Sequence, residues 1–324
     1  MRLQLKWFSG SLKGTKEMVG VSEMIDMSKR TCDKYSILCL TGSGLGDTCM
    51  AMPAIKHLSQ RYSGLRIVLA CANPLVANVA PWVDAVVDTG KTRCTPLHMM
   101  KMVRVIRDIR YFKPYHLAVS FTFHPIRQAY LMASGADHLL WTGDGLGYRG
   151  DVNNQLVNST EHYDWYPPRQ REDYVCIHPF TRQLQGHWDY WQRLIYDLGR
   201  ISPVYLVGNS KKNVYSMCAK DLVNKTLLAE IFEIIARARL VVTADTGIMH
   251  IAIATNTPCV ALFGRTAASL RIPKQGWVIP CYIPCESAEY FHRAGRKSHS
   301  NLPKISYEEV LKKCQSILRA SQPS

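Results

Sequence analysis

Residues 36–40, SILCL, form a continuous apolar run that leads straight into the glycine-rich loop TGSGLGD and a helix-length segment. The same alternation returns along the chain. RIVLACA, AVVDT and HLAVSF are strand-like, with helices expected over 47–62, 97–112 and 124–134. After a stretch at 143–172 rich in Gly, Asn, Asp, Tyr and Pro, a second series follows: YVCIHPF, PVYLVGN, LVVTAD and CVALFG. Helices are expected among them over 188–199, 228–238 and 247–255, with a last one over 306–319. Strands that are apolar on both faces and separated by helices make a parallel sheet covered on each side. Two such series in tandem predict an α/β protein of two Rossmann-like domains with parallel sheets facing an interdomain cleft.

The domain boundaries follow. Residues 1–34 read as an N-terminal extension, 35–165 as a first Rossmann-like domain and 166–324 as a second, with the last helix open to packing back on the first. Open α/β sheets bind ligands beyond the carboxyl ends of their strands, so the loops at those ends carry the candidates.

The first loop holds Gly42, Gly44 and Gly46, followed by Asp47. A dinucleotide fingerprint needs G-x-G-x-x-G and an acid after the second strand; here the third glycine's place is Asp47, and the second strand ends ACANP. A Walker loop fails as well, because no Lys-Ser/Thr pair follows. Glycines there let the backbone turn and approach a substrate closely. Asp47 has two readings. One is a first-turn acid favoured by the helix dipole, worth about 1 kcal/mol. The other is an ionised carboxylate that accepts a proton from a substrate hydroxyl.

The second loop is ADTGIMH. Amides of Thr246, Gly247 and Ile248 at a helix start would hold an anion without a metal, while Asp245 orients the turn or contacts a sugar. His250, one turn on, faces either a phosphate or the core. In HPFTRQLQGHWDYW, Thr181, Arg182 and His187 could reach a phosphate, and Trp188 and Trp191 read as core. Further strand-end candidates are His178, Gly208, Lys211 and Lys212 after LVGNS, and Arg265 after LFG.

Composition narrows the partners. The 324-residue chain has a formal net charge of +15, which favours an anionic partner such as nucleic acid, an anionic membrane face or a phosphorylated substrate. The segment KTRCTPLHMMKMVRVIRDIRYFK carries seven Lys or Arg against the single acid Asp108, at spacings that drift around a helix; a solvated face and a binding surface explain it equally well. No apolar run of about 18 residues predicts a membrane span. Cys39, Cys71, Cys176 and Cys259 lie inside apolar strands, as buried thiols of a reducing, cytoplasmic compartment would. Cys281 and Cys285 lack a second pair, so no metal site is expected.

GLGDTCMAMPAIKHL and NKTLLAEIFEIIARARLVVTADTGIMHIAIATNTPCVALFGRT resemble glycosyltransferase family 9, the lipopolysaccharide heptosyltransferases, with CIHPFTRQLQGHW a weaker likeness. The resemblance runs from about Ser36 to the last helix, and the D-T-G-x-x-H segment is its most specific part. It implies a GT-B fold and inverting, metal-independent sugar transfer from a nucleotide diphosphate sugar, which is a co-substrate rather than a cofactor. In that family pattern Asp47 is the general base and the donor diphosphate sits on Asp245, Thr246 and Gly247, with His250 nearby. One position departs: the family's Lys, two before the Trp of the third loop, is Gly186 here. The resemblance implies an anionic glycolipid core as acceptor, with peripheral membrane contact. A DNA glycosyltransferase acting on hydroxymethylated bases would be equally basic, and a catalytically silent nucleotide-sugar-binding protein would keep the fold.

Overall fold

The computed structural model describes residues 35–90, 96–122, 124–142, 148–181, 187–210, 218–264, 266–274, 277–283 and 301–320. The first sheet contains β1 (Ser36–Leu40), β2 (Arg66–Cys71), β3 (Ala85–Asp88), β4 (Tyr115–Ser120) and β5 (His138–Trp141). All its pairings are parallel, in the order β3-β2-β1-β4-β5. The helices α1 (Leu45–Arg61), α2 (Pro96–Tyr111) and α3 (Pro125–Ser134) are the crossovers.

The second sheet contains β6 (Glu172–His178), β7 (Val204–Leu206), β8 (Lys220–Asp221), β9 (Ala238–Ala244), β10 (Cys259–Phe263) and β11 (Val278–Tyr282). It is parallel too, in the order β11-β10-β9-β6-β7-β8. Its helices are α5 (Trp191–Gly199), α6 (Leu228–Arg237), α7 (Gly247–Ala254) and α8 (Tyr307–Ala320), while α4 (Arg149–Leu156) lies between the sheets in sequence. In each sheet the strand order reverses at one point, between β1 and β4 and between β6 and β9. That is where doubly wound sheets open a crevice at their carboxyl edge.

Both central strands are fully covered, as their unbroken apolar sequences require: Ile37 to Leu40 and Val175 to Ile177 are inaccessible to solvent. Burial holds Cys39, Cys71, Cys176 and Cys259 as free thiols, with their pKa values pushed up. Trp188 and Trp191 enter the second core with Leu194, Val310, Cys314 and Leu318. The last helix, α8, therefore packs on the second sheet. Its apolar stripe at Val310, Cys314 and Leu318 is used up there.

The stretch between the two series, rich in Gly, Asn, Asp, Tyr and Pro, contains a helix, α4. Its sequence, RGDVNNQL, lacks an apolar stripe and is recruited by side-chain hydrogen bonding. Asn153 Nδ2 donates to the carbonyl of Met50 at 3.2 Å. A neighbouring feature has the same logic. Pro53 stands inside α1 and has no N–H for the Cys49 carbonyl one turn back. Trp165 Nε1 supplies the missing donor at 3.2 Å. Trp165 then packs on Phe232 of α6 at 5.6 Å between ring centroids, while Tyr166 N–H donates to the Ala254 carbonyl at the end of α7 at 2.9 Å. A helix break in the first domain is thus satisfied by an aromatic that also grips the second.

Candidate active site

A cavity of about 510 Å³ lies where the carboxyl edges of the two sheets meet. Its first-domain wall is the mouth of α1, from Gly44 to Asp47 with Met50. Its second-domain wall comes from the ends of β6, β7 and β9, the start of α6, the mouth of α7 and Arg271. Asp47, Gly44 and Gly46 thus come together with Thr181, Gly208, Asp245, Thr246, Gly247 and His250, residues far apart in sequence.

The loop after β1 is folded around Asp47. One carboxylate oxygen, Oδ2, accepts the Gly44 N–H at 3.0 Å, which is half of a capping box. Gly44 has no side chain to complete the other half. Thr48 N–H donates instead to the Gly44 carbonyl at 3.2 Å, and Thr41 and Thr48 hydroxyls share a hydrogen bond at 3.1 Å. Gly42 does not line the cavity but stands behind Asp47. A Cβ there would fall 2.7 Å from Asp47 Cβ and closer still to Oδ2. The glycine is what lets the carboxylate fold back over the loop.

Across the cavity, Thr246 is the N-cap of α7, with extended backbone and its hydroxyl bonded to that of Thr243 at 3.1 Å. The first-turn amides of α7 have no intrahelical acceptors, and the helix dipole adds partial positive charge where they point. Arg271 strengthens this field. Its Nε lies 3.8 Å from Asp245 Oδ2, an ion pair without a hydrogen bond, and Nε has no hydrogen-bond partner. The N-terminus of α7 together with a guanidinium makes a site for a polyanion.

Two histidines sit in this wall as neutral groups. His250 is buried, and burial, followed by the nearby Arg271 charge, pulls its pKa down to about 3. Its ring rests on Gly46, so it joins the two helix mouths while lining the cavity. His178, also buried, is pulled down to about 4 by burial, against the opposing effect of backbone hydrogen bonds. Its Nδ1 is bonded to the Val207 carbonyl at 2.9 Å. Gly208, at φ +120°, completes that corner: a Cβ would meet His178 Cε1 at 2.5 Å.

His187 is exposed and is not among the described residues that line the cavity, because its neighbour Trp188 is drawn into the core and donates Nε1–H to the Ile305 carbonyl at 2.9 Å. Arg182 and Arg265 lie outside the described residues, as do Gly186, Lys211, Lys212 and Cys285. Sequence reasoning missed Arg271, Phe180, Asn209, Leu228 and Ile231. Arg271 carried no motif and was one base among 40 Lys and Arg; only packing distinguishes it. Also missed is Arg127 on α3, 1% exposed, whose Nη1 and Nη2 have no hydrogen-bond partner. Burial lowers its pKa, and the partial or full negative charges of Tyr130, Cys71, Asp47 and Asp88 oppose that.

The D-T-G turn, α7 and Arg271 all fall within residues 151–275, which match the family model described as Glycosyltransferase family 9 (heptosyltransferase). Those residues are similar to a family 9 glycosyltransferase domain. A 53-residue stretch of the chain is 45% identical to lipooligosaccharide heptosyltransferase 2 of Haemophilus influenzae; the match spans 16% of this chain and 15% of that relative's length. The fold extends the likeness beyond those residues. A glycosyl transferase family 9 structure from Veillonella parvula superposes with a TM-score of 0.69 at 15% identity, covering 89% of this chain and 98% of the other. The E. coli ADP-heptose lps heptosyltransferase II superposes with a TM-score of 0.65 at 16% identity, covering 89% and 100%. The architecture is GT-B, as the paired sheets and the shared fold together establish.

Proposed function

We propose that the protein is an inverting, metal-independent glycosyltransferase that moves a sugar from a nucleotide diphosphate sugar to a hydroxyl of an anionic glycolipid. The observation that carries this reading is the confrontation of two helix mouths across one cavity, with Asp47 at the first and the Asp245-Thr246-Gly247 turn at the second. The donor diphosphate would lie on the first-turn amides of α7 and on Arg271, which takes the part of the family Lys replaced by Gly186. The acceptor hydroxyl would lie at the mouth of α1.

In the transfer the acceptor O–H loses its proton to Asp47 while its oxygen bonds to the anomeric carbon. The bond from that carbon to the β-phosphate oxygen breaks, and the electron pair leaves with the nucleoside diphosphate. Attack opposite the leaving group inverts the centre. Negative charge growing on the β-phosphate meets dipoles and a guanidinium already in place, which need no reorganisation. Asp47 retains a second oxygen for the proton because only Oδ2 caps the loop.

ADP-heptose is the first donor to test, since the E. coli protein of the same fold carries it in its name. The full chain should transfer from one of a panel of nucleotide sugars onto a lipid-linked core, with and without a chelator. Asp47→Asn should lose transfer while still binding donor. Normal transfer by that variant, sensitivity to the chelator, or transfer to hydroxymethylated duplex DNA in place of the glycolipid would overturn the corresponding part of the reading.

A further inference from the structure

Helix α2 turns one face into the first core through Val105 and Ile109, joined by Met102, Ile106 and Phe112. On a helix with about 3.6 residues per turn, the opposite face passes through residues 100, 103, 104, 107 and 111. A solvated face there should be polar. Instead Met100 is 74% exposed, Val103 71% and Tyr111 82%. Arg104 and Arg107 stand among them at 75% and 76% side-chain exposure, flanked by exposed Lys101 and Arg110. The one acid on the helix, Asp108, is shared between Arg104 and Arg107. The apolar surface continues onto α3 at Met132, 62% exposed, held beside α2 by the Arg110 Nε bond to the Ala133 carbonyl at 3.2 Å.

We infer that this face of α2 docks the protein on an anionic lipid bilayer. Interleaved guanidinium groups and exposed aliphatic and aromatic side chains match the headgroup boundary of such a membrane. Phosphates there neutralise the bases while Met100, Val103 and Tyr111 reach the acyl region. A nucleic-acid backbone would satisfy the same arginines but give no return for exposing Met100 and Val103. The bases need not line a single stripe for this, because a planar charged surface engages those on both flanks. As the crossover from β3 to β4, α2 starts at the carboxyl edge that also holds the mouth of α1 and runs back to the amino edge. Docking along its length would lay the α2 and α3 side of the first sheet on the membrane surface.

The test is sedimentation of the full chain with vesicles of phosphatidylcholine alone or mixed with phosphatidylglycerol, read without any sugar donor. Failure is thereby separated from failure of the glycosyltransferase reading. The wild type should bind the mixed vesicles at least about tenfold more tightly than neutral ones, and binding should weaken with salt. A variant combining Met100→Ser, Val103→Ser and Tyr111→Ser should lose about tenfold on mixed vesicles at low salt, while keeping its melting temperature and its affinity for duplex DNA. Arg104→Gln with Arg107→Gln should lose the preference for phosphatidylglycerol. Equal binding to both vesicle types, undiminished vesicle binding by the serine variant, or retention by duplex DNA with no binding to vesicles would each overturn the inference.

Discussion

The imidazole of His250 rests directly on Gly46, so that the first turn of α1 and the first turn of α7 pack against each other through that ring. A Cβ at Gly46 would fall 2.9 Å from His250 Nε2 and closer still to Cδ2. Leu45 lies reciprocally against Gly247, where a Cβ would meet Leu45 Cδ2 at 2.9 Å. The spacing of the two helix mouths is therefore set by two glycines, and so is the distance across the cavity.

Gly46→Ala should push the mouths apart and misplace Asp47 relative to the Asp245-Thr246-Gly247 turn. An error of about 1 Å costs on the order of 10²-fold in rate. Steady-state kinetics should show the loss mainly in kcat, with donor affinity, measured by calorimetry, changed little.

Asp47→Asn should lower kcat by about 10²- to 10⁴-fold, the range for removing a general base, with the melting temperature nearly unchanged because an amide oxygen still accepts the Gly44 N–H. Gly42→Ala should reproduce part of that loss with Asp47 intact, since the added methyl displaces the carboxylate. If Gly42→Ala turns over normally, the folded-back geometry does not matter for the reaction.

Arg271→Met should weaken binding of the nucleoside diphosphate by about tenfold or more, the loss of one charge-assisted hydrogen bond of about 1.5–3 kcal/mol. Nucleoside monophosphate should be affected less. Equal weakening of both ligands would place the guanidinium away from the β-phosphate.

Acidification should destabilise the fold through His178 and His250. Their folded pKa values, about 4 and about 3, lie below that of an unfolded histidine. The unfolded chain therefore binds more protons through this window. Stability is complete above the unfolded value of about 6.5 and falls as pH drops toward the folded ones. At pH 5 the loss is on the order of 2 kcal/mol for each histidine. Melting temperatures should fall between pH 7 and about pH 5, and His250→Gln should flatten the slope relative to wild type.

Trp165→Phe should destabilise by about 1–3 kcal/mol, because the Cys49 carbonyl loses its donor inside a buried helix. Adding Pro53→Ala should recover part of that loss by restoring a backbone N–H. Denaturant melts of the two single variants and the double variant form the cycle that measures the coupling.

Much of this architecture was legible in order along the chain. SILCL, YVCIH and LVVTA could only be buried strands, and GLGD and ADTG could only end them in turns that start helices. Those local facts fixed two parallel sheets and put Asp47 and the D-T-G turn at strand ends. The short strand VIPCY was missed because Pro280 argues against a strand, and only its place at the sheet edge tolerates a missing donor. Helix α4 escaped because Asn153 and Trp165 find their acceptors on α1, more than a hundred residues away in sequence.

Of the site itself, the sequence alone determined which residue types stand at the carboxyl edges, since backbone conformation there depends on neighbours. Tertiary structure decided which of them face each other. Burial made His250 a neutral imidazole wedged against Gly46. Packing brought Arg271, with no motif to mark it, beside Asp245. It also turned Met100, Val103 and Tyr111 outward among arginines. Periodicity records where a face lies on its own helix, but the direction that face takes depends on what the rest of the chain leaves uncovered.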